Sequence, residues 1–107
     1  MALTTNATAP SLSDTALASE LATAGSGLVR KAATFAHTLG TTSYTMTNTF
    51  TATSTDQTTG AQTVAKMGMF NSAKSATGIM QFETALSSTA TLTQTGDNVT
   101  LTQTVSM

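Results

Sequence analysis

The sequence predicts an all-β fold, a small β-sandwich or partly open barrel of about six antiparallel strands. Three observations predict it. Charged residues make up only 8% of the 107 residues, and threonine, a β-branched residue that favours strands, is abundant. Residues 42–53 alternate between apolar side chains and threonine, and residues 91–105 repeat nearly the same letters around Gly96-Asp97. Such alternation is typical of strands that bury one face.

The beginning of the chain is polar and has no period. The sequence therefore predicts an extended N-terminal arm over residues 1–12 and a single β-sandwich domain over residues 13–107. Composition favours a disordered arm over one that lies across a neighbouring subunit, because an isolated polar segment has nothing to pack against.

Residues 11–22 differ from the rest of the chain. Leu17 and Leu21 lie one helical turn apart, and Ser13 or Asp14 could cap the first turn. The pattern predicts one short helix or helical turn here.

Four further segments are predicted to form strands. Residues 28–39 place Val29, Ala33, Phe35 and Leu39 on one side, although their helix propensity also allows a helix. Residues 42–53 place Tyr44, Met46, Phe50 and Ala52 on one face and threonines on the other. The remaining two segments are 63–70 and 78–86, and the second of these faces inward with Met80, Phe82, Thr84 and Leu86.

The repeat at residues 91–105 predicts a hairpin. With Gly96 and Asp97 as the central residues of a type II′ turn, three pairs would form across the strands. These pairs are Leu92 with Leu101, Gln94 with Val99, and Ala90 with Gln103. The opposite face would then carry threonines from both strands, so the repetition indicates pairing rather than duplication.

Charge and composition argue against several classes of protein. The net charge is −1 and no segment clusters basic residues, so nucleic-acid binding is not expected. No apolar run approaches the roughly 20 residues that span a bilayer, and no membrane partner is expected. Cysteine is absent, so disulfides and thiolate metal sites are excluded. The first residues lack the features of a secretory signal, which favours a product made in a cytoplasm.

No catalytic, cofactor or metal site is predicted. His37 is the only histidine, the five carboxylates are scattered singly, and no G-x-S-x-G elbow or phosphate loop is present. We expect His37 near a strand end with a satisfied ring nitrogen. We expect Glu83 to be exposed, or paired with Lys66 or Lys74 in a weak surface interaction.

Residues 63–70 are apolar on both faces. Met67 and Met69 lie on one face, where we favour a core role over a contact role, and Gly68 and Phe70 lie on the other. Some of this surface therefore needs a second cover, and a partner subunit is one candidate.

Two short motifs carry a resemblance. A Pro and an Asp-Thr-x-Leu stretch lead to a Glu and a basic residue, at Pro10, Asp14, Thr15, Leu17, Glu20 and Arg30. A Gly-apolar-Phe motif follows at Gly68, Met69 and Phe70. From about residue 9 onward the chain resembles small structural proteins of tailed-bacteriophage virions, and it is similar to the attachment domain of phage tail-collar fibres. Those proteins usually carry an acidic residue where this chain has Lys66, which argues against a salt bridge between that position and Arg30.

The resemblance implies a non-enzymatic virion protein on the outer surface of the particle, made in the host cytoplasm. It implies a homo-oligomer, with a trimer favoured, and no cofactor. The length favours a capsid decoration or cement protein that binds the major capsid protein or another virion protein, with residues 1–22 as the grip. The partner-binding residues expected on this basis are Leu3, Pro10, Leu12, Leu17, Leu21 and Arg30.

Two alternatives stay open. A tail-collar or fibre-adaptor subunit would share the fold and differ in copy number per virion. A threonine-rich surface binder, such as an ice-binding module, would need a regular array of exposed threonines, for which residues 45–53 and 91–104 are candidates. Such arrays usually repeat at a fixed period, and here only the last segment repeats.

Overall fold

The computed structural model describes all 107 residues and contains six β-strands and one turn of 3-10 helix. The strands are β1 (Ala2–Thr4), β2 (Thr34–His37), β3 (Ser43–Thr51), β4 (Gln62–Phe70), β5 (Met80–Leu92) and β6 (Asn98–Ser106). The 3-10 turn at Asp56–Thr59 lies between β3 and β4. The predicted all-β class is confirmed.

The six strands form two antiparallel sheets. The first sheet has the strand order β1-β4-β5, and the second sheet has the order β2-β3-β6. No ladder of hydrogen bonds joins the two sheets. The fold is therefore a sandwich with free edges, in which burial between the layers holds the sheets together.

One hydrophobic core fills the space between the sheets. Val64, Met67 and Met69 reach it from β4, Phe50 from β3, and Leu28 from the segment before β2. Met67 and Met69 are buried, as the core interpretation of these residues predicts.

β3 confirms the clearest strand prediction. Phe50 and Ala52 are buried, whereas Thr49 and Thr51 on the opposite face are exposed. Alternate side chains of one strand therefore divide between core and solvent.

The hairpin predicted over residues 91–105 is wrong. A turn does form at Gly96, but the Asp97 N–H donates to the Gln94 carbonyl, so the central residues are Thr95 and Gly96 rather than Gly96 and Asp97. β5 belongs to the first sheet and β6 to the second. The expected pairs do not form: Gln94 lies outside both strands, and the other five residues pair with other strands. The observed pairs are Leu92 with Gln62, Ala90 with Val64, Leu101 with Asn48, Gln103 with Met46, and Val99 with Phe50.

The physical reason is that alternation reports the buried face of a strand and not its neighbour. Leu92 and Leu101 both reach the core, but from opposite layers. The corner between β5 and β6 turns at Gly96, whose φ of 94° suits glycine. It is fixed to the end of β3, because the Ala52 N–H donates to the Asp97 carbonyl at 2.8 Å and the Gly96 N–H donates to the Ala52 carbonyl at 2.9 Å.

The threonines do pair across strands, with partners other than those predicted. Thr47 lies opposite Thr102, and Thr49 lies opposite Thr100. Their hydroxyl oxygens are 3.2 and 2.6 Å apart. These pairs join β3 to β6 on the outer face of the second sheet.

The helix predicted over residues 11–22 does not form. The Ser11 N–H donates to an Asp14 carboxylate oxygen at 2.8 Å, and the Asp14 N–H donates to the Ser11 carbonyl at 3.0 Å, which closes a single turn. Ser19 has a φ of 57°, in the left-handed region that an α-helix does not use. Leu17 is buried all the same, because it packs on the first sheet.

Two strand boundaries also differ from the prediction. Only Thr34–His37 of residues 28–39 form a strand, and Leu28, which was not among the expected inward residues, is the buried hydrophobic residue of this segment. Phe35 and Leu39, expected to face inward, are 60% and 96% exposed. The strand predicted at 78–86 continues to Leu92, and its expected inward residues are half-buried.

The N-terminal arm is not separate from the domain. Residues 1–4 are buried, and β1 pairs with β4, placing Leu3 opposite Met67. The Leu21 N–H donates to the Leu3 carbonyl at 2.9 Å on the other edge of β1. The predicted boundary at residue 12 therefore does not hold, because the first strand of the sandwich lies before it.

Candidate interaction surface

The structure separates the six predicted partner-binding residues into two groups. Leu3, Leu17 and Arg30 are buried and Leu21 packs against the core, so these side chains contact the chain itself. Pro10 and Leu12 are exposed. Of the six residues, only Pro10 and Leu12 expose their side chains to solvent, where another protein could contact them.

Residues 10–21, here called the covering segment, lie over the outer face of the first sheet. Leu17 packs against Gly68, where an added Cβ would lie 3.4 Å from a Leu17 methyl carbon. Thr4 forms an isolated bridge with Glu20 and its hydroxyl donates to the Ala18 carbonyl at 2.6 Å. The second apolar face of β4 is thus covered by the chain's own segment, which supplies the second cover for which a partner subunit was one candidate.

Arg30 joins this segment to the loop after β4. Its Nε and Nη2 donate to the two carboxylate oxygens of Glu20 at 2.9 and 2.5 Å. Its Nη1 donates to the Thr77 carbonyl at 2.6 Å and to the Lys74 carbonyl at 3.2 Å. The guanidinium carbon lies 3.4 Å from the centre of the Phe70 ring, a cation–π contact. We call Glu20, Arg30 and Phe70 the Arg30 cluster.

Lys66 and Glu83 form an ion pair beneath the covering segment. Their side chains are 3% and 4% exposed. The expected partner is correct, but the pair is buried, which corrects the expectation of a weak surface interaction. Arg30 pairs with Glu20 instead of with residue 66.

A groove opens beside the exposed part of the covering segment. Pro10 and Leu12 line one side, and Met80 and Phe82 of β5 line the other, around a volume of about 290 Å³. The groove combines apolar side chains with the free edge of β5. It can accept an apolar side chain or an extended segment of another protein.

A second exposed apolar region lies at the far end of the second sheet, and the sequence did not single it out. Phe35, Leu39 and Met107 are exposed, and the Phe35 ring contacts the Tyr44 ring at 5.3 Å between centres. Met107 is held here because its N–H donates to the Thr42 carbonyl at 2.6 Å. The alternation that placed Phe35 and Leu39 on one face was the available signal, but it was interpreted as burial.

The titratable side chains either interact with groups of the same chain or lie apart from one another. No three His, Cys, Asp or Glu side chains come together as a metal site would require. His37 lies at the end of β2 with Nε2 3.2 Å from the Thr41 carbonyl, as predicted. Asp97 accepts hydrogen bonds from the Thr93 and Gln94 N–H groups at 2.8 and 3.1 Å, which lower its pKa.

Asp56 joins the loop after β3 to the segment that contains Ser26 and Gly27. Its carboxylate accepts hydrogen bonds from the Gly27 and Thr53 N–H groups at 2.9 and 2.8 Å, from the Thr53 hydroxyl at 2.9 Å, and from the Ser26 hydroxyl. Burial alone would raise the pKa of Asp56, but these hydrogen bonds lower it below its ordinary value of 3.8. Gly27 fits this close approach because it has no side chain: a Cβ there would lie 1.7 Å from the Thr51 carbonyl oxygen.

We expect Asp56→Asn to lower the free energy of unfolding by about 1–3 kcal/mol, because an amide cannot accept all of these bonds. A lowered carboxylate pKa stabilises the fold above the pKa of the unfolded chain, and this contribution is lost as pH falls below about 4 through the folded value. Urea unfolding from pH 7 to pH 2 should therefore show a smaller acid-dependent loss for Asp56→Asn than for the wild type. The exposed Asp14→Asn is the control, and equal behaviour of the two variants would contradict the assignment.

The structure contains no helix with the length and apolar character needed to cross a membrane. Comparisons of the chain with protein-family models, with curated proteins and with solved structures find no match.

Proposed function

We propose that this chain is a non-enzymatic structural protein of a tailed-bacteriophage virion, and specifically a capsid decoration or cement protein. It binds the outer surface of the capsid, with the major capsid protein as its partner, and stabilises the shell. It is made in the host cytoplasm and acts in several copies without a cofactor.

The observation that carries this proposal is the Arg30 cluster. The residues that resemble the phage proteins come from two distant parts of the chain, yet Glu20, Arg30 and Phe70 are in direct contact and Leu17 packs on Gly68. Motif residues that matched by chance would have no reason to meet. Their contact supports a shared structural unit in which the basic residue fastens the N-terminal segment to the sheet.

The distribution of charge supports a binding role without catalysis. Arg30 is paired with Glu20, Lys66 with Glu83, and Asp56 is saturated by internal donors. The surface that remains is mainly hydroxyl and apolar. Such a surface suits a stable contact with another protein, in which apolar anchors supply most of the affinity.

The grip on the capsid is assigned to Pro10, Leu12 and the adjoining groove. Leu12 is fully exposed, next to Met80 and Phe82. We expect Leu12→Lys to weaken binding to capsids that lack the protein by roughly tenfold or more, the usual effect of losing an interface anchor. Co-sedimentation with purified particles measures it, and Leu39→Lys is the matched control at an exposed leucine in the other apolar region. Equal binding of wild type and Leu12→Lys would contradict the assigned grip.

Deleting residues 1–12 is not a usable test of the grip, because it also removes β1 from the core. Substitutions in the exposed residues 7–13 leave β1 in place.

Copy number separates the proposal from a tail-collar or fibre-adaptor role. A decoration protein occupies many equivalent capsid positions, whereas an adaptor occupies one ring. Quantitative mass spectrometry of purified virions distinguishes them, and a copy number that fits a single ring would favour the adaptor.

One observation favours a threonine-rich surface binder as a further candidate. On the outer face of the second sheet, Thr45, Thr47 and Thr49 lie opposite Thr104, Thr102 and Thr100, which gives two parallel columns of hydroxyls. Side chains on one face of a strand repeat at about 6.7 Å, a regular spacing that ice could match. Thermal hysteresis during freezing tests this candidate directly.

A further inference from the structure

The second sheet extends beyond the cover that the first sheet provides. On its core-facing side, Phe50 and Leu101 are buried at one end. Tyr44 and Val105 are only half-buried toward the other end, and Phe35 beside them is exposed. These residues lie on the same face, because Phe35 pairs with Met46 and Tyr44 pairs with Val105. The far end is therefore an apolar sheet face that the chain does not cover.

β2 is an unprotected edge of this sheet. It pairs only with β3, and all four of its residues are exposed. Natural sheets usually protect such edges with Lys, Pro or a bulge. Thr34–His37 contain neither Lys nor Pro, and their pairing with β3 is continuous.

Charge selects the kind of partner that fits. The three strands of the second sheet contain no Asp, Glu, Lys or Arg. A partner recognised through charge would find no counterpart here, whereas an equally uncharged sheet would. A second copy carries such a sheet, and the net charge of −1 opposes its approach only weakly.

The size of the surface agrees with an uncovered face. The accessible surface is 6008 Å² for 10.9 kDa, whereas a monomer of this mass typically exposes about 5,600 Å². The radius of gyration is 13.8 Å, against about 13 Å for a compact domain of this length.

We propose that two copies of this chain associate through β2, in antiparallel register about a twofold axis. Antiparallel pairing makes a strand complementary to its own copy, so the two three-stranded sheets become one continuous sheet of six strands. The Phe35 side chains of the two copies then lie on the same face, close to the twofold axis. This association goes beyond the capsid-binding role and does not depend on it.

Sedimentation equilibrium of the full chain tests the proposal. The expected species is a dimer of twice the 10.9 kDa chain mass. Phe35→Lys should weaken the dimer by roughly tenfold or more, because antiparallel pairing of the two β2 strands brings residue 35 of both copies close to the twofold axis and so places two like charges there. Phe35 is 60% exposed and is not part of the buried core, so the variant keeps the fold, which its circular dichroism verifies. Leu12→Lys is the matched control and should leave the dimer unchanged.

A spin label locates the contact. The chain has no native cysteine, so Ala36→Cys in β2 can be labelled alone. Paired strands lie about 5 Å apart, so labels on the two copies should be roughly 10–20 Å apart.

Each other outcome overturns the proposal. A monomer at roughly 100 μM, a trimer, or label distances well beyond that range would exclude pairing through β2. Equal weakening by Leu12→Lys and Phe35→Lys would place the contact elsewhere. The two proposals fail separately, because Leu12→Lys tests capsid binding and Phe35→Lys tests self-association.

Discussion

Replacing Leu3 by alanine should lower the free energy of unfolding by about 2–5 kcal/mol, the range for large-to-small changes in a core. Leu3 is fully buried in β1, opposite Met67 of β4, and belongs to the hydrophobic core. A domain of this size has a total stability of only about 5–15 kcal/mol. One side chain near the start of the chain therefore accounts for a large part of the margin.

Urea unfolding followed by circular dichroism measures this change, and Leu12→Ala is the matched control. Leu12 is fully exposed, so its truncation should change stability by less than about 0.5 kcal/mol. Deleting residues 1–4 removes all of β1 and should abolish cooperative unfolding. If Leu3→Ala behaved like Leu12→Ala, β1 would not be docked in the sheet.

Breaking the buried ion pair should have a comparably large effect. Lys66→Met leaves the Glu83 carboxylate buried without its partner, and no hydrogen-bond donor other than Lys66 serves its Oε1. Loss of one member of a buried pair costs about 3–5 kcal/mol. The double variant Lys66→Met/Glu83→Leu removes both charges and should be close to wild type or more stable.

A double-mutant cycle of unfolding free energies tests this expectation, with the exposed Lys74→Met as control. Additive losses in Lys66→Met and Glu83→Leu would show that the two side chains do not interact. A strong coupling energy would show that the two charges form a buried pair in solution.

The sequence was sufficient to predict which residues face the core, and insufficient to predict which strands are neighbours. In β3, Phe50 and Thr49 divide as the alternation indicates. In residues 91–105 the same rule places Leu92 and Leu101 in the core, but a hairpin and a corner between two layers give the same alternation. The corner forms because it is hydrogen-bonded to Ala52. This contact joins residues that are far apart in the sequence, so no local pattern could predict it.

The predictions for the short elements were wrong for a different reason. β1 has three residues, too few to show a period, and its burial comes from pairing with β4. The spacing of Leu17 and Leu21 is that of one helical turn, but Leu17 packs on the first sheet and the half-buried Leu21 packs against the core, both from an irregular backbone.

Part of the candidate surface was predictable and part was not. Pro10 and Leu12 were expected to bind a partner as part of residues 1–22, and they are exposed. Arg30 was also expected to bind a partner, but it is buried, and its internal contacts with Phe70, Lys74 and Thr77 join residues far apart in the chain. The uncovered end of the second sheet was missed because an apolar face has the same sequence pattern whether or not a second layer reaches it.

The pairing of β3 with β6 has a consequence for how the chain reaches this fold during synthesis. β6 is the last of the six strands to leave the ribosome, and until then β3 has only the four-residue β2 beside it. β1 likewise waits for β4. Contacts between such distant segments make folding slow, and the waiting β3 edge is a site where nascent chains can aggregate. The cell must therefore keep the emerging chain dilute, or shielded by a chaperone, until its end has been translated.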